Sequence, residues 1–511
     1  MEFEELREMA QVLTRNKVKQ VEILGNPGHD GSRAEALYDG IVKGKFKNDD
    51  EAAKHFFGKQ SNSKDSSYRR LRTKLIRMLI NTSFFVDLNQ PMFNERYKAY
   101  YNCRRDVAAA YLMRTRGINK ATIYILKHAL EQCLKFEFVD LICEISNDLN
   151  YTYTGILSDV DSQIFYKNIL NEFEEKRSLE RKVKKYADEM YEYYIVQRSP
   201  NPEIFKMARK YYEELSTIET SKTTYQFRKD LHRLNIVHFF AQGDYRGALQ
   251  VLENIIPDYQ ANPYTYRSEL LSYIINALSC CIQLRKWEPA VKYANSLPAL
   301  IDVGNNGWFQ MKEMFMYHHL YQKQYGEAFD HFKEALQHPR FELISGTKRD
   351  DWFVIGGYMH MLAQFGVYKP EDIHAVAGPF KYSKFVNDIG ILDKDKIGMN
   401  IALVLLPVWF ALAKGKEGDS IKSMDALEKY RQRYLDNDLN RRSAIMVRLL
   451  TALIKRPFDV DRNDHKIKKE LASLRENPPE TSLQMFYLEI LPYEDLWNLL
   501  VEKLGLVQHK V

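Results

Sequence analysis

Glycine and proline are scarce in this chain, 23 and 16 residues in 511. A strand-rich fold spends both on its many turns, so their shortage argues for helices. Cysteine is scarcer still. Cys103, Cys133, Cys143, Cys280 and Cys281 are odd in number and lack zinc-like spacing, which reads as core thiols in a reducing compartment, with no metal site. Long apolar runs are missing as well: Ile401 to Ala413 is the most apolar stretch, it falls short of the roughly 20 residues that span a bilayer, and it contains Pro407. A buried helix is expected there and no membrane span. Met1 to Gln20 mixes Glu and Arg where an export signal has a basic start and an apolar run, so a cytoplasmic protein is expected. No nucleophile with its base, paired acids or cofactor motif stands out, and the expectation is a non-enzyme without cofactors. The loop Gly25 to Ser32 has the wrong glycine spacing for a phosphate loop, and Arg33 stands after its Ser where Lys-Ser would be required. It reads as a surface loop with Ser32 as a helix cap.

What the chain has is tyrosine, phenylalanine and one local excess of charge. The 33 Tyr and 27 Phe far outnumber the 5 Trp, and tyrosine suits half-buried helix seams because its ring can be covered while its hydroxyl stays wet. The formal net charge is +6, and the excess of Lys and Arg between Arg33 and Arg77 equals it, leaving the rest near neutrality. Three helices are expected in that region: Ala34 to Val42, Glu51 to Phe57 capped from Asn48, and Tyr68 to about Phe85 capped by Ser66 or Ser67. The third has an apolar stripe of Leu71, Leu75, Met78, Leu79 and Thr82, and its other sides carry the basic patch Arg69, Arg70, Arg72, Lys74 and Arg77. Such a helix either sits in a DNA groove or simply presents a solvated face. The stretch from Gly58 to Tyr68 exceeds the tight turn of a helix-turn-helix, which favours the second reading. Upstream, Met1 to Asn16 reads as a short helix and Lys19 to Leu24 as a brief strand.

Beyond Phe93 the helical pattern hardly breaks. Helix pairs are expected at about 93 to 115 and 119 to 149, with Asn119 capping a helix that carries Ile123, Leu126, Leu130 and Leu134, and a helix is expected from a cap at Ser158 towards Gln197, charged and crossing solvent. Then one pattern recurs four times. An aromatic is followed at +3 by Ala and at +7 and +10 by further side chains: Phe205/Ala208/Tyr212/Leu215, Tyr245/Ala248/Leu252/Ile255, Trp287/Ala290/Ala294/Leu297 and Tyr325/Ala328/Phe332/Ala335. The recurrence of about 40 residues signals stacked helical hairpins. Pro257, Pro298 and Pro339 are placed to end the second helix of three units.

The segments 241 to 249 and 321 to 329 resemble the turn and second-helix start of tetratricopeptide repeats, over roughly 150 residues, with spacings longer than the usual length of about 34 and without the Trp and Leu-Gly signature. The resemblance implies an all-α fold, an extended array of antiparallel helix pairs (an α-solenoid), with a small N-terminal helical unit. It also implies an adaptor whose concave face holds a peptide or partner protein, and by position that face includes Arg233, Asn276, Ser279, Glu313 and Tyr317. The neighbours His318 and His319 diverge by about 100° on a helix and read as structural rather than metal-binding.

After Phe341 the pattern loosens. Gly346 to Asp351 and Gly378 to Asp395 read as connections, Leu403 to Ala413 pairs with Ser420 to Tyr434, and Tyr493 to Leu504 is a capping helix. Four regions result: 1–90, 91–197, 198–341 and 342–511. The function expected is a cytosolic interaction scaffold. The alternative is a ligand- or peptide-responsive transcriptional regulator with an N-terminal DNA-binding unit.

Overall fold

A computed structural model describes residues 32–84, 88–89, 93–197, 202–344, 346–380, 400–414, 424, 427–435, 440–454, 460–482 and 488–506. The expected helix Met1 to Asn16, strand Lys19 to Leu24 and loop Gly25 to Gly31 lie outside these residues, as do most of 378–395 and the start of the 420–434 helix. Helix makes up 82% of the structure, with no strand among the described residues. The fold is all-α, and no described helix is long and apolar enough to cross a membrane. The chain forms two compact units, Met1–Asn171 and Glu172–Val511.

The first described helices of the first unit are α1 (Arg33–Val42), α2 (Asp49–Phe57) and α3 (Ser66–Ser83). Ser32 caps α1 in a reciprocal box with Glu35, and the Asn48 side chain caps α2. Each satisfies backbone N–H groups that the first helical turn leaves without partners. The cap of α3 is Asp65, whose carboxylate accepts from Ser67 N at 2.8 Å; the expected caps Ser66 and Ser67 are already inside the helix. Leu71, Leu75 and Met78 are buried with Tyr68 against Ala34, Leu37, Ala52 and Ala53. Leu79, expected in that stripe, is exposed, because the buried arc of α3 is completed by Tyr68 and ends at Met78.

Next come α4 (Glu95–Thr115), α5 (Asn119–Phe136) and α6 (Val139–Thr152). The pair expected from 119 to 149 is present, its two helices separated at Glu137, which adopts the left-handed conformation, whereas 93 to 115, also expected as a pair, is one helix. Asn119 is the first helical residue, and Ile118 holds the cap position without a side-chain bond. A helix of 38 residues, α7 (Val160–Gln197), follows. Its cap is Asp159, accepting from Ser162 N; Ser158 is itself left-handed at the end of the preceding turn. The boundary between the units falls within α7.

In the second unit Val183, Ala187 and Met190 of α7 are fully buried against α8 (Pro202–Ser216) and α9 (Tyr225–Gln242). The expected solvent-crossing helix is half core. Its local ion pairs do form, Lys176 with Glu172 and Lys184 with Asp188. Helix pairs then succeed one another: α9 with α10 (Tyr245–Ala261), α11 (Arg267–Gln283) with α12 (Trp287–Ser296), α13 (Asn306–Tyr321) with α14 (Tyr325–Leu336), and α15 (Gly346–Gln364) with α16 (Pro370–Ala377). Ala208, Ala248, Ala290 and Ala328 have no exposed surface, so the recurring small residue lies at close helix contacts. Gly247 makes a second close approach, since a Cβ there would stand 2.4 Å from the Phe239 ring. Gly346 to Asp351, expected as a connection, is the first turn and a half of α15.

Proline explains one more difference. The second helices α12 and α14 end before Pro298 and Pro339, but α10 runs through Pro257 to Ala261. The Glu253 carbonyl four residues back loses its amide, and both Glu253 and Pro257 face solvent. The turn beyond is held by Tyr259, whose buried ring lies 4.8 Å from that of Tyr273 and whose hydroxyl meets His232 Nδ1 at 3.2 Å.

The connections share one geometry. Gly243, Arg285, Lys323 and Gly366 all take positive φ, and the amide after each donates to the carbonyl five residues before it: Asp244 to Phe239, Lys286 to Cys281, Gln324 to His319 and Val367 to Leu362. This is the Schellman helix end. In the first unit Gly117 and Glu137 end α4 and α5 in the same way.

The C-terminal part is tied back onto this series. Helix α17 (Asn400–Ala413) is the expected buried apolar helix, the described residues 427–435 are helical too, and α18 (Arg441–Ile454), α19 (Val460–Glu476) and α20 (Tyr493–Lys503) follow. Arg442, with no exposed surface, donates to both Glu489 oxygens at 2.6 and 3.0 Å, both Glu494 oxygens at 2.9 and 2.7 Å, and the Asn477 carbonyl at 2.6 Å. From the segment so fixed, the Pro479 carbonyl accepts from Gln283 Nε2 at 2.7 Å, Glu480 pairs with Arg285 at 3.0 Å and Asp495 with Lys323 at 2.8 Å. Among the four second-unit turns Gly243, Arg285, Lys323 and Gly366, Arg285 and Lys323 are the two whose left-handed residue is not glycine.

Two stability predictions follow from this packing. Ala290→Leu, at a contact without spare volume, is expected to cost about 1–3 kcal/mol in urea unfolding; an unchanged midpoint would contradict the close helix contact. Arg442→Met strands Glu489 and Glu494 and is expected to cost about 3–5 kcal/mol, whereas Arg209→Ala, at the pair with Glu213 that is exposed on both sides, should cost less than about 1 kcal/mol.

Candidate interaction surfaces

The first helices of successive pairs lie side by side. Glu269 of α11 receives both Lys229 at 3.0 Å and the Tyr225 hydroxyl at 2.5 Å from α9, and Lys348 of α15 stands 3.7 Å from Glu313 of α13. Against this frame the five groove residues separate. Asn276 is half-buried on α11. Ser279 on the same helix donates its hydroxyl to the Ile275 carbonyl at 2.9 Å and touches Met314 Sδ at 3.3 Å. Arg233 is held by Asp188 at 2.9 Å and lies 4.3 Å from the Tyr191 ring centroid. Glu313 is buried beside Lys348, and Tyr317 has no exposed surface at all. Tyr317 thus belongs to the core and not to a groove face; its position on α13 turns inward with Met316 and Leu320.

The basic patch is on the surface as expected. Arg69, Arg70, Arg72, Lys74 and Arg77 are all exposed on α3. Arg72 Nε lies 3.4 Å from Asp49, whose other neighbour is the Tyr68 hydroxyl at 2.5 Å. The loop before α3 is held by side chains, Ser63 N donating to Asp50 of α2 at 2.7 Å and Lys64 N to Asn62 at 2.9 Å.

What sequence reading missed is exposed apolar surface. Apart from Tyr191, Val291, Val303, Leu343 and Phe353, every large hydrophobic side chain that stands exposed among the described residues precedes Glu172. They include Ile76, Leu79 and Ile80 on α3, Tyr97, Tyr100 and Tyr111 on α4, and Val160, Ile164 and Phe165 at the start of α7. A signal was present: Ile76 and Ile80 stand four apart on the side of α3 away from Leu71, Leu75 and Met78, so the helix is apolar on two faces.

The histidines gather in pairs. His318 and His319 have ring centroids 5.3 Å apart, His319 stacks on His331 at 5.3 Å, and His360 lies 5.4 Å from His374. Among the described residues no group of His, Cys, Asp or Glu could hold a metal ion. Burial lowers His318, His331 and His360 each to about 4, with the neighbouring cation Lys312 adding to the effect at His331 and the adjoining imidazole at the other two. Comparison with protein-family models, with curated proteins and with solved structures gives no match in any of the three.

These imidazoles carry a pH dependence. Their folded pKa lies below the ordinary 6.5, so between about 6.5 and about 4 the unfolded chain binds more protons, and stability present above that window is lost as pH falls through it. The urea midpoint is expected to drop across that range. Replacing His318, His331 and His360 together by Gln should flatten the drop, and an undiminished slope would assign it to other groups.

Proposed function

We infer that this protein is an interaction scaffold, an α-helical array of the tetratricopeptide-like kind whose adhesive surface is concentrated before Glu172. The carrying observation is the distribution of exposed large hydrophobic side chains, nearly all of which precede that residue. Single exposed apolar residues are ordinary on a protein surface, but their concentration in one region marks where a partner is received. The second unit gives the opposite impression. Charges on its first helices are paired, Lys229 with Glu269, Lys348 with Glu313 and Arg233 with Asp188 of α7, as suits a rigid support.

The array reading rests on the fourfold aromatic and alanine pattern, the buried alanines and the repeated Schellman turns. Stacked helical pairs with shared seams serve in general as extended binding surfaces. The location proposed for the scaffold is the cytoplasm, supported by the five cysteines, all of them free and buried. The DNA-regulator alternative draws on the exposed arginines of α3 alone, and the exposed isoleucines among them offer nothing to a phosphate backbone.

The test is a comparison of co-purifying proteins, quantified by mass spectrometry, for the wild type and two variants in the native cell. Tyr111→Ser with Phe165→Ser, both at exposed positions, is expected to remove specific partners while leaving the fold intact. Asn276→Ala with Ser279→Ala is expected to leave them. The reverse outcome would move the site to the first helices of the second unit.

A further inference from the structure

Helix α3 carries a second line of side chains that its own core does not use. Tyr68, Leu71, Leu75 and Met78 are buried, whereas Ile76 and Leu79 are each 41% exposed, Ile80 is 55% and Phe84 is 51%. Positions 69, 72, 76 and 80 follow one another at three or four residues and so align along one face. That face reads Arg69, Arg72, Ile76, Ile80, with Leu79 beside it, over about 16 Å of helix. Arg70 and Arg77 flank it. Arg69, Arg70 and Arg77 make no ion pair among the described residues, and Arg72 has only Asp49, at a pair that is half-exposed on both sides.

We propose that this face is a docking site for a short acidic amphipathic helix of a partner protein, with its aliphatic side chains on Ile76, Leu79 and Ile80 and its carboxylates on Arg69, Arg70 and Arg77. The proposal rests on the scaffold reading and assigns one partner chemistry to one helix. Charge complementarity fixes the sign: the excess of Lys and Arg between Arg33 and Arg77 equals the net charge of the entire chain, +6, and arginine pairs a carboxylate through two parallel hydrogen bonds. Side-chain order fixes the form. A partner helix presents residues at i, i+3, i+4 and i+7, which matches a line whose own residues recur at that spacing.

Other occupants suit the face less well. A nucleic-acid backbone would satisfy the arginines and bury three branched aliphatic side chains against a hydrated polyanion. A bilayer surface takes up helices with a broad apolar face, and here the aliphatic part is little more than one turn long with arginines on its flanks. A carboxylate-bearing helix satisfies both halves of the line at once.

The experiment uses the full chain and a displayed library of helical peptides of about 16 residues, randomised on one face. The selected peptides are expected to combine Asp or Glu with Leu, Ile or Phe at three- and four-residue spacing. Their affinity, read by fluorescence anisotropy, is expected to fall about tenfold or more in Arg69→Glu/Arg77→Glu and, separately, in Ile76→Ser/Ile80→Ser. All four positions are exposed, so circular dichroism should show both variants folded, and rising salt should weaken binding to the wild type. Selection of peptides without acidic residues would overturn the proposal. So would acidic peptides that bind both variants as they bind the wild type, or an Arg69→Glu/Arg77→Glu variant that loses only duplex DNA or phosphatidylserine vesicles. Peptides lost in Tyr111→Ser/Phe165→Ser but retained in both α3 variants would remove this site and leave the scaffold reading standing.

Discussion

Arg442 is the interaction on which the order of the second unit depends. A guanidinium with no contact to water is tolerable only if its donors are filled, and Glu489, Glu494 and the Asn477 carbonyl fill them. Burial opposes charge on Arg442, yet the two glutamates hold its pKa above the ordinary value, while burial pushes Glu489 upward against the pull of the arginine. Such a cluster adds less to stability than to specificity, because a segment that docks in any other register leaves a naked charge behind. Here the register it sets is that of Pro479, Glu480 and Asp495 on the turns of α11 and α13.

The same contacts give a reason for two unusual turn residues. A left-handed conformation costs a non-glycine residue of the order of 1–2 kcal/mol, and Gly243 and Gly366 avoid that cost at equivalent turns. Arg285 and Lys323 incur it. Their side chains are also the ones that meet Glu480 and Asp495, so backbone strain at the turn accompanies a contact that glycine could not make.

Helix class and the spacing of the buried alanines were legible in the sequence because both depend on local pattern. The +3, +7 and +10 spacing after each aromatic placed Ala248, Ala290 and Ala328 correctly at buried contacts, and the apolar run 401–413 was rightly a buried helix. The misreadings are tertiary. Pro257 failed to end a helix because Tyr259 anchors the turn beyond it, and 93 to 115, expected as a pair, is one helix. Tyr317 was assigned to a surface by repeat position, although α13 carries so many apolar residues that periodicity does not tell its inward from its outward side. The exposed line on α3 was half visible, as arginines; its isoleucines were hidden by the stronger stripe of Leu71, Leu75 and Met78. No local signal pointed to Arg442, since its partners lie 47 and 52 residues further on.

Repeat arrays of the kind proposed for this chain ordinarily behave as one-dimensional chains: any pair can nucleate, and the ends fray first. The bond from Gln283 to the Pro479 carbonyl joins residues 196 apart in sequence and changes that topology from a line to a loop. Closing the loop requires the whole intervening stretch to be in place, a search that slows folding as contact order rises. In return the last described helices are tied to the turns of α11 and α13. The second unit should therefore lose its structure as one cooperative body, with amide protection as high at α20 as at α11, where an open stack would show protection fading towards its terminal pair.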